Sequence, residues 1–213
     1  DLTSSQLILN GLSFWPDGNE LDKPFGTDIF GSFEIPILKL KGEIKQSVVS
    51  NAIYYDKNMA VAQSEDIFSA TNISLANELQ WWKLGLENYA MFQVFSDNIY
   101  NLPTLFTKHN LHITGWIFDR ALYARLGAEV RLSPSYQGAG YNPVIGNFFQ
   151  TEEQLDFYPM TDVYFTGKIE KFRLFLRLEN VTNLFSNQVQ YQTAGHPQYD
   201  FKLRFGVSWL LLN

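Results

Sequence analysis

The sequence predicts an antiparallel transmembrane β-barrel of about ten strands, either complete or the C-terminal part of a larger barrel. Three observations carry this prediction. Apolar and polar residues alternate with a period of two through most of the chain, which gives each stretch one apolar and one polar face. Short and long connections then alternate strictly between those stretches. Aromatic residues make up 16% of the chain and gather near the ends of the stretches.

The strands are expected near residues 3–14, 27–35, 37–53, 66–80, 82–95, 105–117, 120–133, 160–169, 172–182 and 199–212. LKLKGEIK (38–45) sets Leu38, Leu40, Gly42 and Ile44 against Lys39, Lys41, Glu43 and Lys45. RALYARLGAEVRL (120–132), DVYFTGKI (162–169) and FRLFLRLE (172–179) alternate in the same way. The terminal YDFKLRFGVSWLLLN (199–213) places Lys202, Arg204, Gly206 and Ser208 at every second position of an otherwise apolar run. Helical spacing fits none of these better.

The connections at Pro36, at Gln80-Trp81-Trp82, at Phe118-Asp119 and at Glu170-Lys171 are very short. The others are long and rich in turn residues, SPSYQGAGYNPVIGNFFQTEEQLDFYP being the longest. A soluble β-sandwich shows the same face alternation but has no reason to sort its loops. A membrane barrel does, because one rim carries tight turns and the other carries loops. Strands of this length suffice to cross a bilayer when tilted. Trp81, Trp82, Trp116, Phe118 and Trp209 by the short turns, with Tyr54, Tyr55, Phe95 and Tyr158 by the long loops, read as interfacial aromatic belts. Ten strands would return both termini to one side.

Composition excludes several classes. No run of 18 apolar residues is present, mean hydropathy is slightly negative, and a transmembrane helix is excluded. No charged-then-apolar leader opens the sequence, as in a cytoplasmic protein or a mature or trimmed product. With no cysteine, disulfides and thiolate metal sites are impossible. A net charge of −6 argues against nucleic acid as a partner.

Strand alternation assigns a polar wall. Its expected basic residues are Lys39, Lys41, Lys45, Lys83, Arg125, Arg131, Lys168, Arg173, Arg177, Lys202 and Arg204. Its expected acidic residues are Glu34, Glu43, Glu78, Glu87, Glu129, Asp162 and Glu179, so base exceeds acid. Lining charge sets the selectivity of a pore, and a mild anion preference follows. The alternative is a lumen plugged by Arg and Glu paired across it, since barrels of about eight strands are filled by side chains.

From about Asn51 onward the chain also resembles a known family, the putative porins of Bacteroidetes outer membranes. The resemblance rests on NAIYYD (51–56) followed by Gln63, on LENYAMFQ (86–93), LPTL (102–105) and GAEVRLSPSYQGAGYNPVIGNFFQ (127–150). It continues through FYPMTDVYFTGKIEKFRLFLRLENVTN (157–183) and RFGVSW (204–209). Family members are usually several times larger barrels, so the match implies a C-terminal portion. It also implies a bacterial outer-membrane location with a periplasmic C-terminus and external long loops. Phe205, Gly206 and Trp209 resemble the C-terminal insertion signal read by the barrel-assembly machinery, although the chain ends Leu212-Asn213 and not on an aromatic residue. ENVTN (179–183) is also similar to late strands of TonB-dependent receptors, without a visible plug domain.

Other chemistry finds little support. His109 and His112 lie three apart and point to opposite faces of a strand, which rules out a joint metal site; His196 is the third histidine. Asp97, His109 and Asp162 would form a proton relay only if they met at the loop rim. Asp56, Glu65, Asp66 and Asp97 read as solvated loop charge, with divalent cations shared with lipopolysaccharide as the alternative. GAG (138–140) reads as a flexible turn, and no nucleotide-binding, zinc-protease or calcium-loop motif is present. The expectation is a non-enzymatic chain without cofactor, forming a single barrel domain or segment over residues 1–213. It passes small polar solutes, and its partners are outer-membrane lipid, lipopolysaccharide and the assembly machinery. The alternative is a non-conducting scaffold barrel that binds other envelope proteins.

Overall fold

The computed structural model describes residues 21–186 and 189–210. Nine long strands form one antiparallel sheet in which every strand pairs with the next in sequence. They are β1 (Phe25–Ile35), β2 (Leu40–Ser50), β3 (Phe68–Trp81), β4 (Leu84–Phe95) and β5 (Leu105–Ile117). The remaining four are β6 (Leu122–Leu132), β7 (Met160–Ile169), β8 (Phe172–Glu179) and β9 (Lys202–Trp209). The strand expected near 3–14 lies outside the described residues. Among the described residues β1 and β9 are the two edges of the sheet and do not pair with each other.

Residues directly opposite each other in adjacent strands share a face. The register therefore carries one face across all nine strands, from Ile29, Phe33 and Ile35 to Leu203, Phe205 and Val207. This face is mostly apolar and exposed: Leu79, Phe92, Leu111, Ile113 and Leu126 are all about half exposed, and Phe205 is 78% exposed. So broad an apolar surface far exceeds what a water-facing monomer shows. Among the described residues no helix is long and apolar enough to cross a membrane.

Four short turns lie at one end of the sheet, where the backbone is tight enough to force non-glycine residues into the left-handed region. Lys39 (φ 46°) follows a 3₁₀ turn at Pro36–Leu38, and Trp82 (φ 55°) joins β3 to β4. Phe118, Asp119 and Arg120 are left-handed in succession (φ 52°, 50° and 66°), and Glu170 (φ 46°) joins β7 to β8. Side-chain parity is lost at such residues.

The other end carries the long connections, which are structured. The β2–β3 connection contains a hairpin of Ile53–Tyr55 and Val61–Gln63. The β6–β7 connection pairs Gly140–Asn142 with Asn147–Phe149, and Tyr136–Gln137 with Gln154–Leu155. The β8–β9 connection holds Tyr191–Thr193 against His196–Pro197. Backbone hydrogen bonds knit these loops together, Gln150 N–H to the Tyr55 carbonyl and Ala194 N–H to the Ala139 carbonyl (both 2.9 Å). Buried Asn101 donates to the carbonyls of Gly138 and Thr151 (3.1 and 2.8 Å). Ala52, Ile99, Tyr54 and Tyr100 from the loops pack on Phe68, Ala70 and Phe95, whose strand positions belong to the polar face. The loops thus fold over one end of that face.

Candidate functional site

The polar face is the candidate site. Registers place Lys41, Lys45, Arg125, Arg131, Lys168, Arg173, Arg177, Lys202 and Arg204 on it. The acidic residues Glu34, Glu43, Glu78, Glu87, Glu129, Asp162 and Glu179 share it. Lys39, itself left-handed, and Lys83, which follows left-handed Trp82, lie in turns outside these registers. The Lys83 chain lies against Gly115, a residue of the apolar face, with its ammonium 4.8 Å from the Trp82 ring centre. Two polar-face charges that alternation missed are Asp28, opposite Ser47, and Lys108, opposite Tyr89 and Arg131. Phe30 shares the face with Asp28, and His109 interrupts the apolar side of β5, so neither strand advertises its polarity.

Charge is distributed unevenly across this face. Strands β1 to β4 carry Asp28, Glu34, Glu43, Glu78 and Glu87 against only Lys41 and Lys45. Strands β5 to β9 carry Lys108, Arg125, Arg131, Lys168, Arg173, Arg177, Lys202 and Arg204 against Glu129, Asp162 and Glu179. Acid gathers at one side of the sheet and base at the other.

Much of this charge is paired. Asp162, only 1% exposed, accepts from Arg131 Nη2 (2.5 Å), from Arg177 Nη2 (2.6 Å) and from the Asn180 backbone N–H (2.9 Å). Arg177 also donates to Glu129 Oε1 (3.0 Å), reaching over β7 to do so. A second network spans β4 to β7. Arg125 Nη2 donates to Glu87 Oε1 (2.5 Å) and its Nε to the Tyr164 hydroxyl (3.2 Å). Tyr164 in turn donates to Asn110 Oδ1 (2.9 Å), and Asn110 donates to Glu87 Oε2 (2.9 Å). His112 Nδ1 lies 3.0 Å from Arg125 Nη2. The Tyr164 ring fits because Gly127 lies beneath it: a Cβ there would stand 2.5 Å from ring carbon Cζ.

Arg204 pairs with Glu179 (2.9 Å), Lys45 with Asp28 (2.9 Å) and Lys41 with Glu34 (3.7 Å). Every one of these pairs runs along the sheet. Among the described residues Lys108, Lys168, Arg173, Lys202, Glu43 and Glu78 form no ion pair, Lys202 lying over the Tyr199 ring at 4.5 Å. The uncompensated cations are therefore all on β5 to β9 and the uncompensated acids on β2 and β3.

The aromatic residues divide. Trp81, Trp82 and Trp209 are strongly exposed at or next to the short-turn end, Trp81 and Trp209 on the apolar face. Trp116 instead lies on the polar face against Tyr123, ring centres 5.2 Å apart. Tyr54 and Tyr55 belong to a loop hairpin, and Tyr54 packs on the loop-end cluster. Tyr158 is buried and donates to Asn180 Oδ1 (2.8 Å), so this ring serves loop packing and not an external belt. Phe205 and Trp209 lie on the apolar face of β9, while Gly206 faces the polar side under the Phe175 ring.

His109 and His112 occupy opposite faces, as their spacing requires. His109 Nδ1 meets Asn88 Oδ1 (2.8 Å), Asn88 donates to Asn77 Oδ1 (3.1 Å), and Asn77 donates to the Leu38 carbonyl (3.1 Å). This polar ladder crosses β3, β4 and β5 on the apolar face. Asp162 and His109 thus point to opposite sides, and the Asp97, His109 and Asp162 trio is not brought together.

Comparisons with known proteins fit this architecture. The model of a family described as putative porin matches residues 12–213. No curated protein matches the chain. Among solved structures, the FrpB iron transporter from Neisseria meningitidis (F3-3 variant) superposes with a TM-score of 0.58 over 86% of the chain at 13% sequence identity. That likeness is one of fold, and the chain covers 30% of the FrpB chain's length.

Proposed function

The chain belongs to the putative porin family, and from that premise we propose that it forms part of a closed outer-membrane β-barrel for passive, non-enzymatic diffusion of small polar solutes. The observation that carries this reading is the pair of faces held in register over nine strands. One is exposed and apolar, to meet lipid; the other carries the charged residues, to meet water. Backbone groups at the edges β1 and β9 must be paired in hydrocarbon, so a spanning sheet has to close with further strands. Residues 1–213 then act as one barrel segment.

The ion pairs support an open lumen because they join neighbours within one wall. Side chains that lie down along the sheet neutralise charge without bridging the interior. What remains is Lys108, Lys168, Arg173 and Lys202 against Glu43 and Glu78, an excess of base that supports a mild anion preference. Lipid and lipopolysaccharide are the partners of the apolar face, and the assembly machinery reads Phe205, Gly206 and Trp209. The non-conducting scaffold draws on one observation, the loops packed over one end of the polar face.

Liposome swelling separates the two. Vesicles carrying the inserted protein should swell in small neutral solutes at a rate that falls with solute size. Inserted protein that admits none of them would sink the diffusion reading and leave the scaffold.

A further inference from the structure

We propose that the cavity between the polar ends of β5 to β7 and the folded loops is a binding site for a neutral saccharide of about disaccharide size. It deepens the diffusion reading by naming a solute class and rests on that reading only for the solute's passage. The cavity measures about 420 Å³, within the roughly 300–1,000 Å³ of small-molecule sites. Four aromatic rings from three chain segments line it: Phe106 of β5, Tyr136 and Tyr158 of the β6–β7 connection, and Tyr191 of the β8–β9 connection. Such rings offer flat apolar faces beside polar tips, the surface that the C–H face of a sugar ring requires.

The polar lining is poorly satisfied by protein. Gln190 Oε1 is buried without a hydrogen-bond partner, an orphan acceptor, while the buried Arg131 Nε has only the Glu129 carboxylate at 3.6 Å, and both residues line this cavity. Buried polar groups are nearly always paired, by protein, water or ligand. Gln192 Nε2, also on the lining, reaches only the Met160 sulfur at 3.9 Å, a weak acceptor. Burial raises the Tyr136 hydroxyl above its ordinary titration range, which keeps it a neutral donor.

Charge selects against other ligands. The Arg131 guanidinium is already matched by Asp162 at 2.5 Å and Glu129 at 3.6 Å, so it brings little net attraction for an anion. Asp156, which forms no ion pair among the described residues, repels one. Amides and hydroxyls with spare capacity, aromatic rings and no net positive charge suit a neutral polyol.

The test is saturation-transfer NMR on the longest native chain carrying these residues, in detergent micelles, with maltose, cellobiose and diacetylchitobiose. Saturable binding of at least one is expected. Gln190→Leu or Tyr136→Ala should weaken it about tenfold, as expected when a hydrogen bond or ring contact is lost, while Lys57→Ala on an outer loop should not. Heat-modifiable migration on gels verifies that each variant is folded. Absence of binding by all three sugars, insensitivity to both site substitutions, or tighter binding of glucuronate overturns the inference. Binding needs no conductance: vesicles that swell without sugar binding overturn this site alone, whereas sugar binding without swelling overturns the diffusion reading alone.

Discussion

Arg177 and Asp162 meet at 2.6 Å across adjacent strands, and the carboxylate beneath the guanidinium is 1% exposed. Asp162 holds two arginines and one backbone N–H at once. It is therefore the group whose removal leaves most charge unmatched. Breaking a buried ion pair by deleting one partner is strongly destabilising, because the other charge stays buried. Asp162→Leu should lower stability by about 3–5 kcal/mol, read as a shift in urea-driven unfolding from phospholipid vesicles. Asp162→Asn, which keeps an acceptor, should lose less. Equal losses would mean that the charge itself contributes nothing.

The outward ladder makes a contrasting prediction. Asn77, Asn88 and His109 satisfy each other on an apolar face. Asn88→Leu alone strands the two neighbours, and should destabilise by about 1–3 kcal/mol. Replacing all three by leucine removes the ladder's donors and acceptors together, leaving only the Leu38 carbonyl without its Asn77 donor, and should cost less than the single change. Unfolding of the single and triple variants, measured side by side, checks this asymmetry. A triple variant worse than the single would show that something else binds the ladder.

Gly127 tests the packing of the Tyr164 network. A Cβ there meets the Tyr164 ring at 2.5 Å, whereas one at Gly31 meets only Ile44 Cγ2 at 3.9 Å. Gly127→Val should displace the ring, break its links to Arg125 and Asn110, and lower stability by about 1–3 kcal/mol. Gly31→Ala should stay within about 0.5 kcal/mol. The same unfolding assay reads both.

Much of this was legible in the sequence because a two-faced sheet writes its period openly. Lys41 to Lys45 in β2 alternate without a break, and in β8 the charged Arg173, Arg177 and Glu179 outweigh the one aromatic, Phe175, on their face. Lys108 was hidden because His109 and Thr107 put polar groups on the apolar side of β5, and Asp28 because Phe30 shares its face. Lys39 and Lys83 were misjudged by parity, which stops at a left-handed residue. The loops' inward folding, the burial of Tyr158 and the cavity beside it depend on contacts between distant segments, such as Asn101 with Gly138 and Thr151. No local pattern encodes those.

Charge selectivity follows from the unpaired cations. Lys168 and Arg173 stand directly opposite each other on β7 and β8, and neither has an acidic partner among the described residues. In the proposed pore, Lys168→Glu with Arg173→Glu should shift the preference toward cations, seen as a change in sign of the reversal potential. A pore whose preference ignores both residues would place the selective wall elsewhere in the barrel.

The proposed pore requires that the charged face lines open water. Single-channel recording of the purified protein in a planar bilayer under a KCl gradient reads this out. Steady conductance with a reversal potential that favours chloride modestly is expected. Verified insertion with no conductance would contradict it.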